Sequence, residues 1–172
     1  MASLGAESRE QATKGRQYVT FTINGEEFAV DAVEVQEIIV LTNVTKVPHL
    51  PDYLKGVISL RGTVIPVVDL KTKFGMEREG SAEHTCVIVT EFSGGIMGLI
   101  VDSVSDVLHM PEESIASPPH FGSRLNTDFI RGIGRVDDRL VLVLDIDRVL
   151  TGGEASAVRG AAEAAHALLE RE

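Results

Sequence analysis

Four aspartates, Asp31, Asp69, Asp102 and Asp145, recur behind apolar runs, and carboxylates at repeated positions are candidates for paired acid/base work. Each also precedes a short helical pattern, where an Asp oxygen accepts from free backbone N–H groups, so capping is the expected role. The histidines, His49, His84, His109, His120 and His166, are never three or four residues apart and have no neighbouring acid in a ligand pattern. No metal site is expected from them. Cys86, the single cysteine, lies in an apolar strand without a basic neighbour and reads as a buried thiol. No nucleophile elbow, Walker loop or dinucleotide fingerprint is present. These patterns predict neither an enzyme nor a cofactor. A small hydrolase or ligand-binding barrel using loop residues such as those of Pro111 to Asp128 is the competing class, and turnover lost on changing one Asp would reveal it. Arg61 is the remaining candidate: a guanidinium on a rigid turn can grip a partner carboxylate with two hydrogen bonds. Val35 and Glu37 join it, because they interrupt an otherwise clean inward pattern.

The element that must hold Arg61 is the segment GVISLRGTVIPVVDLKTKFG, Gly56 to Gly75. Two apolar runs, Gly56 to Leu60 and Thr63 to Leu70, flank Arg61 and Gly62, which predicts a β-hairpin with a type II turn at its tip. Pro66 cannot donate to a ladder, which predicts an edge or bulged strand there, a place where another protein could dock. The segment returns at an offset of 76: Tyr53, Leu54, Lys55 and Gly56 become Phe129, Ile130, Arg131 and Gly132. A second echo, offset by 71, pairs Phe28 to Val33 with Leu99 to Val104. Such self-similarity predicts an internally duplicated, strand-rich chain forming a pair of small barrels. At the second tip Asp137 and Asp138 replace Arg61 and Gly62, so the two tips carry opposite charge.

In chain order, residues 1–16 are polar and aperiodic and are expected to be a disordered arm. Residues 17–151 are expected to hold the duplicated domain, with one barrel over about 17–76 and the other over about 84–151. Asn24 with Gly25 signals a hairpin, and Asp31 to Glu34 has capping-box spacing. Leu41 to Asp52 reads as a loop, Glu77 to Glu83 as the junction between copies, and Asp102 as the cap of a turn before Val107 to Met110. Residues 152–172 are alanine-rich, with Val158, Ala161, Ala165 and Leu168 at helical spacing, and predict a C-terminal helix.

Of the 172 residues, 16 are Lys or Arg and 26 are Asp or Glu, a formal net charge of −10 that repels phosphate backbones and anionic lipid. No nucleic acid partner is expected. Trp is absent and aromatics make up 5%, so stacking platforms are thin as well. One cysteine suits a reducing compartment, and no apolar stretch approaches the roughly 20 residues that span a bilayer, so a cytoplasmic chain without direct membrane insertion is expected.

The stretches QYVTFTINGEEFAVDAVEVQEI, YLKGVISLRGTVIPVVDLKTKFG, GLIVDSVSDVL and FIRGIGRVDDRLVLVLDIDRVL resemble the CheW family of chemotaxis coupling proteins, over about residues 16–151. The resemblance implies an all-β fold of two intertwined five-stranded SH3-like barrels. It implies a non-catalytic cytoplasmic adaptor recruited to membrane receptor arrays. There it couples the cytoplasmic tips of methyl-accepting transmembrane chemoreceptors to the regulatory domain of the histidine kinase CheA. By position in the motif, receptor contact falls to Val35, Glu37 and Arg61, on a surface shaped by Gly56 and Gly62; no residue can be assigned to kinase contact. A coupling protein of a non-flagellar pathway, for surface motility or gene regulation, is the alternative. The same module also ends the kinase itself and begins fusions with a receiver domain, and the length of the chain favours a standalone adaptor. Ser59, where the family commonly has asparagine, and the alanine-rich tail depart from the pattern.

Overall fold

Branched and aromatic side chains fill most of the strand positions. The computed structural model describes residues 15–41, 43–48, 50–76, 85–92, 95–117, 129–150 and 152–170. The strands are β1 (Gly15–Ile23), β2 (Glu26–Asp31), β3 (Val35–Val40), β4 (Leu54–Leu60), β5 (Thr63–Asp69), β6 (Cys86–Phe92), β7 (Gly95–Val101), β8 (Ser103–Pro111), β9 (Ile115–Ala116), β10 (Ile130–Val136) and β11 (Arg139–Leu144). Three helices accompany them, α1 (Leu70–Lys73), α2 (Ile146–Val149) and α3 (Gly152–Glu170), with 3-10 turns at Ala32–Glu34 and Glu112–Ser114.

The strands form two sheets. Barrel A has the order β8-β1-β2-β11-β10-β9, and barrel B the order β3-β6-β7-β5-β4. Replacing β1, β2, β3, β4 and β5 by β6, β7, β8, β10 and β11 turns one order into the other, apart from the two-residue β9. That short strand has its own counterpart in Thr45, which exchanges backbone hydrogen bonds of 2.8 and 2.9 Å with Val57. The duplication is therefore present in three dimensions, but the copies are not the barrels. Barrel A takes its first hairpin from residues 15–31 and its remaining strands from 103–144, whereas barrel B lies wholly within 35–101. The sequence copies over about 17–76 and 84–151 thus exchange their N-terminal hairpins.

The exchange follows from what the hairpins must bury. In β1, Val19, Phe21 and Ile23 pack into the layer between the sheets, while Tyr18 faces the smaller core of barrel A with Met110 and Val143. Such a strand has no solvent face and must sit inside a sheet. The shared layer draws Ile88, Met97 and Leu99 from the other hairpin. Ring stacking crosses it, Phe21 on Phe28, Phe28 on Phe74 and Phe74 on Phe129, with centroids 5.9, 5.9 and 4.2 Å apart. Ile58, Ile65, Val67, Val87 and Val89 fill barrel B on the opposite side of its sheet.

Several expectations change. Arg61 and Gly62 have φ of 51° and 81°, both positive, so the tip is a type I′ turn and not type II; its twist matches that of the flanking strands. Asp102 caps no helix. The chain runs from it straight into β8, because the facing strand β1 pairs with that segment from Thr22↔Ser103 to Gly15↔Pro111. Asp102 instead accepts the backbone N–H of Asn24 at 2.8 Å and ion-pairs with Lys71 at 2.8 Å. The other three aspartates do cap, each accepting an N–H two residues on: Val33 for Asp31, Lys71 for Asp69 and Asp147 for Asp145.

Pro66 is not on an edge strand, since β5 lies between β4 and β7. Val57, its antiparallel partner, spends its own N–H and C=O on Thr45, so that pair needs no donor from Pro66, and the parallel ladder to β7 begins only at Val67. The edges of barrel B are β3 and β4. The arm over 1–14, the junction over 77–84 and the 118–128 part of the second loop lie outside the described residues, as do His49, His84 and His120; Gly15 and Arg16 already belong to β1. The helix α3 docks by Val158 and Ala161, and Lys73 holds its first turn through Glu154 at 2.7 Å.

Candidate protein-docking site at the open edges of barrel B

Arg61 occupies the first turn position between β4 and β5, with a left-handed φ of 51° that Asn, Asp and Gly tolerate better than arginine does. The side chain is 68% exposed. It is not idle: both terminal nitrogens meet the carboxylate of Glu37, one of them Nη1 to Oε2 at 3.2 Å and the other, Nη2, in closer contact with Oε1. Glu37 stands on β3, the opposite edge of the same sheet. The forked pair therefore joins the two edges that no ladder joins. Exposed ion pairs of this kind contribute only about 0–1 kcal/mol, so its value to the fold is small.

A register shift between Val35 and Glu37 sets β3 up for this. One extra residue, Gln36, turns outward to bond Glu91 at 2.6 Å, and the side chains on either side fall on different faces. Val35 packs against the layer between the sheets, while Glu37 stands opposite Val89 of the barrel B core. Gly62 is exposed and a Cβ there would touch nothing; only its φ of 81° calls for glycine. Gly56 is different. It is buried, with φ of 148°, and a Cβ would stand 2.2 Å from the carbonyl oxygen of Thr45. It lets the 43–48 segment lie against β4, supporting the surface from below.

Of the five residues singled out in the sequence, then, Glu37, Arg61 and Gly62 come together at one place, Val35 lies along the same edge strand on the other face, and Gly56 is beneath. Sequence reading missed the apolar continuation of this edge: Val33 is 87% exposed and Val40 70%, with Ile38 between them also exposed. Three consecutive apolar residues, Ile38, Ile39 and Val40, on a strand whose alternation is broken were the available signal. Among the described residues no group of His, Cys, Asp or Glu is placed to hold a metal ion. His109 is exposed on β8, and Cys86 is half-buried on β6. The surface offers a cation–carboxylate fork beside exposed apolar side chains and the edge of β3, while the edge of β4 is partly covered by Thr45.

A family model described as the CheW-like domain matches residues 17–154. The chain belongs to the CheW family of chemotaxis adaptors. It is 36% identical to a chemotaxis protein CheW of Klebsiella aerogenes over 88% of this chain and 91% of that one. Against a probable chemotaxis protein CheW of Rhizobium etli it is 35% identical, over 83% and 92% of the two chains. The crystal structure of the scaffolding protein TtCheW from Thermoanaerobacter tengcongensis superposes with a TM-score of 0.75 at 32% identity, covering 81% of this chain and 95% of that one. The doubled barrels of this CheW-family chain are thus the fold of a known scaffold, and no described helix is long and apolar enough to cross a membrane.

Proposed function

We propose that this CheW-family chain works in the cytoplasm as a coupling piece without chemistry of its own, joining the cytoplasmic tips of methyl-accepting chemoreceptors to the regulatory domain of the histidine kinase CheA. Receptor contact falls on the edge of barrel B, through Val35, Glu37 and Arg61, with Gly62 keeping the tip open and Gly56 fixing the backbone beneath it. One observation supports this assignment above the others: an arginine sits in a left-handed turn conformation that it occupies at a cost of roughly 1 kcal/mol, and a carboxylate from the opposite sheet edge orients it. A turn selected for folding alone would carry Asn or Gly there. Glu37 pre-sets the guanidinium so that little side-chain freedom remains to be lost on binding.

The test is reconstitution. Receptor-containing membranes, CheA and this protein are combined, and kinase autophosphorylation is measured. Arg61→Glu should lower activation at least tenfold while its circular dichroism and melting curve stay close to the parent. Full activation by a folded Arg61→Glu protein would remove the site from consideration.

A further inference from the structure

The pseudo-symmetry supplies an internal control for every charged group, and one corner fails it. Where β2 leaves barrel A for barrel B, the 3-10 turn Ala32–Glu34 carries the chain across. Its counterpart is the passage from β7 through Asp102 into β8. The offsets pair Asp31 with Asp102, Glu34 with Ser105, Arg131 with Lys55, Asp145 with Asp69, and Asp147 with Lys71. The second corner is balanced: Lys71 reaches Asp102 at 2.8 Å and Lys55 lies 4.0 Å from Asp69, with a neutral serine in the remaining place. The first has an aspartate where its mate has that lysine and a glutamate where its mate has the serine.

The groups around Glu34 can be followed element by element. From β1, Arg16 is committed to Asp31 at 2.8 Å, and Tyr18 is buried. Asp31 itself, at the end of β2, is only 2% exposed. On β6, Glu91 is turned to Gln36. Arg131 approaches from β10, while Asp145, shared with Arg148 at 3.6 Å, and Asp147 approach from the start of α2. Among the described residues, Oε2 of Glu34 is buried without a hydrogen-bond partner. The capping box expected from the sequence is not closed: Asp31 accepts the N–H of Val33, but Oε2 of Glu34 is left without a partner. Burial above all, then Asp31, and more weakly Asp147 and Asp145, push the Glu34 carboxyl up to about 7 against the opposing pull of Arg131.

We infer that Glu34 is a proton-operated clasp: protonated, it lets the crossover between the barrels close, and ionised, it adds a negative charge that Arg131 only partly offsets and that loosens the turn and the start of β3. The consequence is directional. The segment it governs runs directly into Val35 and Glu37, so the order of the docking edge falls as the proton leaves. Nothing in this inference depends on which partner the edge binds, and it is tested on the isolated protein.

The experiment follows the Glu34 side-chain carboxyl carbon by NMR from pH 4 to 9, with amide exchange protection of residues 32–40 corrected for intrinsic rates. The full chain is compared with Glu34→Gln and with Asp147→Lys, which restores the cation of the mate corner. The expected result is a Glu34 midpoint at least 1.5 pH units above that of exposed glutamates, with protection over 32–37 falling several-fold between pH 6 and 8. That loss should vanish in Glu34→Gln, and the midpoint should drop toward the ordinary range in Asp147→Lys. A Glu34 midpoint in the ordinary range, or the same loss of protection in the Gln variant, overturns the inference. If the Gln variant does not fold, an unmoved midpoint in Asp147→Lys overturns it alone.

Discussion

At the β4–β5 tip the first turn residue is Arg61 at φ 51°, and at the β10–β11 tip it is Asp137 at φ 53°. The first turn residues agree in φ and carry opposite charge, but the second do not match: Gly62 has φ of 81°, whereas Asp138 lies outside the positive-φ region. The facing residues differ as well. Glu37 stands opposite Val89 on β6, and the corresponding partner of Tyr18 on β1 is Leu108, so barrel A has no carboxylate from which to build the fork. Gly56 and Gly132, by contrast, do the same job in both barrels: each follows a one-residue register shift and makes room for a crossing strand, Thr45 in one case and Ala116 in the other. What is repeated is what the fold requires. What is not repeated is the Arg61–Glu37 pair, which the ladder of neither barrel requires.

The comparison can be broken at its shared feature first. Gly56→Ala puts a methyl group 2.2 Å from a backbone oxygen at a φ that L residues rarely adopt, and should cost about 3 kcal/mol or more in urea unfolding. Gly132→Ala meets an Ile115 methyl at 2.6 Å and the carbonyl oxygen of Ala116 at 2.7 Å without a left-handed φ, and should cost about 2 kcal/mol. Equal stability of either variant with the parent would mean that the crossing strands are not held as described.

Next come the features that differ. Asp137→Arg should leave kinase activation unchanged, whereas Arg61→Glu lowers it about tenfold, or about 1.4 kcal/mol of coupling. Loss of activation in both would show that either tip serves, contrary to the assignment. The Glu34 corner gives a smaller effect with a definite sign. Because folding raises this carboxyl from 4.5 to about 7, the folded state binds the extra proton between those values. The contribution of Glu34 to stability is then fully present below pH 4.5, falls as pH rises to 7 and is flat beyond. Discounted for partial exposure, the loss should be about 1 kcal/mol in the parent and absent in Glu34→Gln, read from urea midpoints at pH 5 and 8. The smallest effect expected is that of Arg61→Asn: a gain of a few tenths of a kcal/mol in stability, because Asn is at ease at φ 51°, together with a loss of coupling.

Much of this fold could be read in the chain. Alternating aliphatic runs separated by Asn24–Gly25 and Arg61–Gly62 located the hairpins, and three of four aspartates cap as their spacing required, because strand and cap signals act over a handful of neighbouring residues. Asp102 misled for the same reason. Its local sequence matches that of Asp31, yet the long pairing of β8 along β1 supplies backbone partners that a helical turn would otherwise have had to provide. Pro66 misled likewise, since whether a strand is an edge depends on a neighbour far away in the chain. For the site, spacing placed Arg61 at an exposed tip but could not place Glu37 against it, because the two meet across sheet edges far apart in the chain.

By itself, then, the order of residues determined the duplication, the strands, the turn positions and the family, all of which depend on short-range pattern or on similarity between stretches of chain. Only the tertiary structure decided that the copies trade their first hairpins, that the tip cation is already gripped across the sheet opening, and that one of two matching corners is left with surplus negative charge. The physical reason is common to all three. Burial and Coulomb interaction depend on distance in space, and residues 16, 34, 131 and 147 become neighbours only when two sheets close on one layer of apolar side chains.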